Sequence, residues 1–443
     1  MTEKNTVSVN RDVPIGPRAD LVVAGGGPSG FAAAVTAARK GLSVILIERY
    51  GFFGGLATAG SVGTVCGLYL HHPDRVEHLI EGFAKELTET LVARGGAFGP
   101  FIRQGFTALL YNPWHLKRLC DRWVTEEKGI TPMLHSYVAD AVVTDKKIEA
   151  LIVASPEGLS AVAGDVYIDA TGDATVALAA GVRTEKGDPS GAVMNPTMMF
   201  YVQGMDLVKY QQEGMAILND KIKEAIKTKK YPLTVGQGLV IPTFRHGEAM
   251  VKLSSLARDG KALDGSSVAD ITYAELKGRD DAEVAARFLK EEVPGFADAF
   301  LADTAVQVGI RETRRVVGKY VLTEADVLSG KQFDDAVCLS SWPLEKWEGG
   351  KEPQMVFLDE GQYYGVPYRS LLTNEVDNLL VTGRAISMDH GALASARVMG
   401  VCMAEGQAAA TAAALAIAGS VDVGAVDVGG LRDRLKKDGA RLE

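Results

Sequence analysis

Apolar runs and small-residue helical patterns alternate at the start of this chain. Residues 21–24 form a continuous apolar run of the kind that makes a strand buried on both faces, and the run ends in Gly25, Gly26 and Gly27. A helix is predicted from Pro28 through Ala32, Ala33, Ala34, Ala37 and Ala38, with Arg39 and Lys40 in its last turn and Gly41 as its stop. Residues 43–47 read as a second strand that delivers Glu48. Further on, Val76, Leu79, Ile80, Phe83 and Leu87 repeat at helical spacing, as do Leu116, Leu119, Cys120, Trp123 and Val124 behind Asn112-Pro113. Between 131 and 169 the pattern changes to short β runs with turn signals at 145–147 and 155–158, predicting a strand and a β-meander that return to Asp169-Ala170-Thr171-Gly172-Asp173. A β-like run at 239–244, a charged helix around 273–292 and a Pro294-Gly295 break follow. The chain closes with a strand at 378–381, Gly383-Arg384, a loop, and a small-residue helix from about 399 to 418.

The first strand, glycine turn, helix and second strand have the spacing of a dinucleotide site. Gly25 permits the tight turn, Gly27 lets the backbone approach a pyrophosphate, and Gly30 allows helix and strand to touch. The helix N-terminus offers unpaired N–H groups to phosphate charge, and Glu48 stands where a ribose hydroxyl needs an acceptor.

A chain of 443 residues, 47% hydrophobic and 23% charged, can bury a large core and is expected to form two or more domains. We place a split first domain at 1–190 and 360–443 and an inserted substrate or cap domain at 191–359. The formal charge of −9 and the lack of a basic run interleaved with aromatics argue against nucleic acid as a partner. Cys66, Cys120, Cys338 and Cys402 are far apart and make no metal-ligand pattern with the seven histidines, so no metal is expected and a reducing cytoplasm fits. The first twenty residues lack an apolar core, and Glu405 and Gln407 interrupt the apolar run at 401–418, so neither a signal peptide nor a membrane span is expected. The oligomeric state, a homo-oligomer included, is left open.

The order of motifs resembles the glutathione-reductase-like FAD proteins and, more narrowly, an FAD-dependent oxidoreductase family related to fumarate reductase flavoprotein subunits. The matching pieces are GGGPSG with Glu48, ERYGFFGGLATAG, DATGD at 169–173, MNPTMMF at 194–200, VPGF at 293–296, GIRETRR at 309–315, and the run from 378 to 399. The resemblance implies an α/β fold: a split Rossmann-like FAD-binding domain with an inserted α+β substrate or cap domain. It implies FAD as the cofactor, with Glu48 on the adenosine ribose, Val138 by the adenine, Gly383 and Asp173 near the pyrophosphate and ribityl chain, and Gly54, Gly55 and Thr58 on the flavin side. Pro28, Ser29, Arg49, Thr171, Gly172, Arg384, Val398 and Met399 complete the expected cofactor set. A helix starting near Met399 would turn its positive end to the charge that builds on a reduced flavin.

A flavin dehydrogenase also needs a proton-handling group and a group that orients the substrate. His390 and Arg397 precede the last helix and are candidates, with FAD binding as the second reading for Arg397. Arg311, Arg314 and Arg315 cluster with Glu312; if that segment is helical, Arg311 and Arg315 share a face and at least one arginine points inward, towards a structural carboxylate or a substrate acid. His246 at the end of a cap strand and Tyr364, next to Tyr363, are further candidates, each with a structural alternative. Cys66, in a loop expected near the ring, or a histidine would be the anchor if the flavin is covalently attached.

The expected reaction is hydride transfer between a small organic substrate and flavin N5, of dehydrogenase or desaturase type. No second GxGxxG is present, which leaves the electron acceptor open among oxygen, a quinone, a carrier protein and a transient nicotinamide. The alternatives are an NAD(P)H-dependent flavin reductase or monooxygenase, and an FAD-holding subunit of a larger redox assembly. The absence of Fe–S cysteine patterns weakens the last of these.

Overall fold

The computed structural model describes residues 10–103, 106–347 and 354–443. Its largest sheet has strand order Ile130–Met133, Val44–Ile47, Ile15–Ala24, Gly158–Asp169, Lys147–Ser155 and Tyr137–Thr144, with Leu379–Val381 also paired to Gly158–Asp169. The pairs that join Ile130–Met133, Val44–Ile47, Ile15–Ala24, Gly158–Asp169 and Leu379–Val381 are parallel, and the meander pairs are antiparallel. Leu21, Val22 and Val23 are fully buried, as a continuous apolar run in a parallel sheet requires. The first strand begins at Ile15, earlier than its apolar run, because pairing with Ala161 and Ala163 holds residues whose side chains stay largely exposed. The last parallel strand comes from the far end of the chain, so the sheet is completed by both termini of the sequence.

Helix Pro28–Arg39 packs on helix Met399–Gly419 through small residues; a Cβ on Gly406 would overlap the Ser29 carbonyl. The second helix is apolar on all sides and long enough to cross a membrane by length and composition, yet 78% of its most apolar window is buried inside the fold, as in a core helix. Phe31 sits between Phe83 and Trp123, with ring centroids 5.7 and 6.0 Å away, and its truncation to alanine is a change of about 3–5 kcal/mol.

The inserted segment builds a four-stranded antiparallel sheet in the order Leu239–Pro242, Glu248–Lys252, Met199–Gln203 and Phe300–Thr304, against which helix Val268–Glu292 packs. Strand Ala336–Ser340, on the inserted side of the boundary placed at 359, pairs with Tyr364–Pro367 on the other side, and Arg315–Val316 pairs with Thr184–Glu185.

Three local expectations change. The helix expected from Val76 starts at Phe83, because Gly82 at φ +64° breaks the pattern and Tyr69 bridges His78 upstream. GIRETRR is not helical: residues 310–314 are irregular and Arg315 enters a short strand, with the Arg384 side chain donating to the Ile310 carbonyl and His390 set against Glu312. The loop expected after Gly383-Arg384 contains helix His390–Ala396, capped by the Asp389 side chain accepting from Ala392 N–H at 2.7 Å.

Candidate active site

The glycine turn is built from two different constraints. Gly25 lies at φ +98°, and a Cβ there would overlap the Ala170 backbone. At Gly27, which precedes the first helical residue, a Cβ would meet no protein atom nearer than 3.7 Å and would project into free space. That space is part of a cavity of about 720 Å³ lined by Gly25, Gly27, Pro28, Ser29, Glu48 and Arg49. Glu48 is tied to the turn: its carboxylate accepts from Gly26 N–H at 2.7 Å and from Tyr50 N–H at 2.9 Å. Burial raises the Glu48 carboxyl, and those two N–H groups act against it.

The other wall joins distant parts of the chain. Arg384 donates from Nη2 to Asp173 Oδ1 and from Nε to the Gly172 carbonyl, both at 2.6 Å, and from Nη1 to the Ile310 carbonyl at 2.7 Å. Thr313 donates to the Gly172 carbonyl or to Asp173 Oδ1, at 3.1 and 3.0 Å. Val138, Gly55, Thr171, Gly172, Asp173, Gly383, Arg384, Val398 and Met399 all line the same cavity. Helix Met399–Gly419 has no side-chain cap, and its Gly400 N–H donates to the Cys66 carbonyl at 2.9 Å. Beneath this wall, buried Glu405 accepts from Gly383 N–H at 2.7 Å, and burial pushes its carboxyl well above the usual range.

This part of the lining fits FAD. Ser29 Oγ and Thr382 Oγ1 are buried in the lining and have no hydrogen-bond partner among the described residues. Together with the open space beyond Gly27 and the uncapped helix start, they supply polar groups and clearance for a pyrophosphate and its hydroxylated neighbours.

The remaining lining is charged and aromatic, with Lys252, Arg311, Glu345, Trp347 and Arg397 as its core. Lys252 ends a strand of the inserted sheet, and Arg397 lies between helices His390–Ala396 and Met399–Gly419. Arg311 donates to the Asn195 carbonyl at 2.6 Å and to Thr197 Oγ1 at 2.8 Å, and its guanidinium stands 3.9 Å from the Trp347 ring centre. The Lys252 ammonium is 4.6 Å from the same ring, and Trp347 Nε1 donates to Glu345 Oε1 at 2.9 Å. Burial, followed by the charge of Arg397, lowers Arg311 to about 9. Burial also lowers Lys252, with Glu345 opposing it. Burial resists ionisation of Glu345, yet Arg397, Lys252 and Arg311 together hold its carboxyl below the usual range.

Several candidates lie elsewhere. His390 is not in the cavity lining; its Nδ1 is 2.9 Å from Glu312 Oε2. His246 is exposed and outside the lining, because its strand ends at Pro242 and the turn carries it to the surface. Tyr364 is fully buried outside the cavity, its hydroxyl 2.8 Å from Ser395 Oγ. Gly30, Gly54 and Thr58 do not line the cavity either. Gly30 closes the helix–strand contact, while Thr58 donates to the Phe53 carbonyl at 2.8 Å and packs beneath Gly54, shaping the loop that presents Gly55. Arg315 is buried and paired with Glu312, which also accepts from Gly187 N–H at 3.1 Å and Met194 N–H at 3.0 Å; Arg314 approaches the Asp173 carbonyl at 3.4 Å. Cys66 does line the cavity, but burial pushes its thiol up to about 12, which opposes the thiolate that attack on a ring would need. The sequence reading missed Lys252, Glu345, Trp342 and Trp347. The only signal was the pair of tryptophans spaced around charged residues at 342–347.

The chain aligns with several solved structures, and it shares its fold with the first of them. A flavin-dependent brominase, Bmp2, aligns over 95% of this chain and 84% of its own at 16% identity and a TM-score of 0.50. The chondrochloren halogenase CndH aligns over 95% and 78% at 14% identity and a TM-score of 0.46. The p-nitrophenol 4-monooxygenase PnpA from Pseudomonas putida aligns over 96% and 84% at 13% identity and a TM-score of 0.44. Residues 20–435 match the family of FAD-dependent oxidoreductases, nearly the whole length over which the dinucleotide turn, the C-terminal wall and the charged lining are built; the chain belongs to that family and uses FAD.

Proposed function

We propose that this FAD-dependent enzyme is of the dehydrogenase or desaturase type and acts on a small organic substrate bound over Trp347, with the first unit being of the glutathione-reductase-like kind. The observation that carries this reading is that Lys252, Arg311, Glu345 and Arg397 line the same cavity as the dinucleotide turn. Bound FAD supplies a two-electron acceptor for a hydride. Glu48, Ser29, Asp173 and Arg384 would hold the cofactor. Lys252 is the group we assign to the proton: burial favours its neutral amine, which can take a proton from a substrate O–H, N–H or activated C–H as the hydride leaves carbon. Arg311 and Arg397 would orient the substrate, and Trp347 would cover it and keep water from Lys252.

Anaerobic titration of the purified flavoprotein with alcohols, amines and carboxylic acids tests the reading. Bleaching of the flavin by one of these classes, lost in Lys252→Gln with the flavin retained, is the expected result. Bleaching by NAD(P)H alone would replace it with the reductase or monooxygenase reading, the chemistry named for the structurally similar p-nitrophenol monooxygenase.

A further inference from the structure

Among the described residues the charged lining is unbalanced: Lys252, Arg311 and Arg397 face one lining carboxylate, Glu345, so the two guanidiniums alone outnumber it. Arg397 Nη2 stands 3.6 Å from the Glu345 carboxylate and donates to the Glu345 carbonyl at 3.4 Å, while its buried Nε has no hydrogen-bond partner among the described residues. Trp342, 5% exposed and also in the lining, likewise has an unpartnered Nε1 among the described residues. Both of these orphans are donors that cannot accept. Buried donors and uncompensated guanidiniums are costly until an anionic acceptor meets them, and a planar oxyanion satisfies two guanidinium forks as water does not. Around them, Phe106 stacks edge-on to Trp342 at 5.3 Å, and Phe357 and Met355 continue the lining as an apolar surface.

We propose that the substrate is an organic carboxylate: its acid group is bound by Arg311, Arg397 and the Trp342 indole N–H, and its apolar body lies against Phe106 and Phe357. The inference rests on the reading of this lining as the substrate site. Glu345 then serves to hold Trp347 and to repel acids that enter with the charge misplaced.

Benzoate and benzamide, which differ at the acid group alone, are titrated into the purified holoenzyme and followed by flavin difference spectra and by calorimetry. Benzoate is expected to saturate, with benzamide at least about tenfold weaker. Arg397→Gln and Arg311→Gln are each expected to weaken benzoate by at least about tenfold while the protein keeps its flavin, and Glu345→Gln to tighten it. Equal binding of the two probes, or no binding of either, overturns the proposal. So does displacement of benzoate by inorganic phosphate at equal or lower concentration, which would make the anchored group a phosphate. If the arginine variants do not fold, the comparison of the two probes in the unaltered protein still decides. A protein that carries and accepts no flavin, yet binds benzoate over benzamide by calorimetry, would remove the flavoenzyme role of this lining and leave the acid site standing.

Discussion

Arg384 and Asp173 are joined at 2.6 Å, and the pair closes the cavity wall from two segments more than two hundred residues apart. Arg384 is mostly buried, and two more of its N–H groups are spent on the carbonyls of Gly172 and Ile310, so it fixes the backbone of three motifs at once. Arg384→Ala is expected to keep the fold and lower FAD affinity by at least about tenfold, since a charged hydrogen-bonded partner is lost at the wall. Fluorimetric titration of the deflavinated variant measures it.

The two outer glycines of the turn separate folding from cofactor binding. Gly27→Ala meets free space and is expected to leave the melting temperature of the FAD-free protein within a few degrees of the unaltered chain, while weakening FAD by filling the approach to the helix N-terminus. Gly27→Asp adds a negative charge there and should abolish FAD binding. Gly25→Ala forces a Cβ into the Ala170 backbone at positive φ and is expected to destabilise the fold itself. A Gly27→Asp variant with normal flavin content would remove the site assignment.

Lys252 sets an expected pH profile. Its neutral form accepts the proton, and burial lowers its value below the ordinary 10.5, so the rate should rise with pH through that lowered value and level off above it. Steady-state kcat across pH, compared with Lys252→Gln, checks this. The residual rate of the glutamine variant should lose the rising limb, because an amide has no proton to release in that range.

Glu312 holds the turn of GIRETRR from inside. Its carboxylate receives Arg315, two backbone N–H groups and His390, with no exposure to solvent. Glu312→Ala leaves Arg315 buried and uncompensated, an expected loss of about 3–5 kcal/mol read by urea unfolding.

Glu405 gives a pH effect of opposite sign to that of an ordinary surface acid. Its folded value lies above the free value of 4.5, so the native state holds a proton that the unfolded state releases, and the associated stability fades as pH rises from 4.5 towards the folded value. Glu405→Gln keeps an acceptor for Gly383 N–H without a titrating group. The variant is therefore expected to melt higher than the unaltered protein at pH 8 and to lose that advantage near pH 4.

Much of the cofactor half was legible in the residues. The turn from Gly25 to Gly30, Glu48 and the meander are local patterns set by backbone sterics and by burial of a continuous apolar run, and both act within a few tens of residues. Helix Met399–Gly419 was legible for the same reason, since a helix apolar on every face has to be buried. Tertiary structure decided the rest. The three arginines of GIRETRR look alike in sequence, yet Arg311 reaches the cavity, Arg315 a buried carboxylate and Arg314 a backbone carbonyl, because long side chains are sorted by which cavities and partners lie within reach. The same sorting drew Lys252, Glu345 and Arg397 from three distant segments into one lining and left His246 on the surface. Charge placement at that range depends on how the inserted sheet packs, and no periodicity along the chain encodes it.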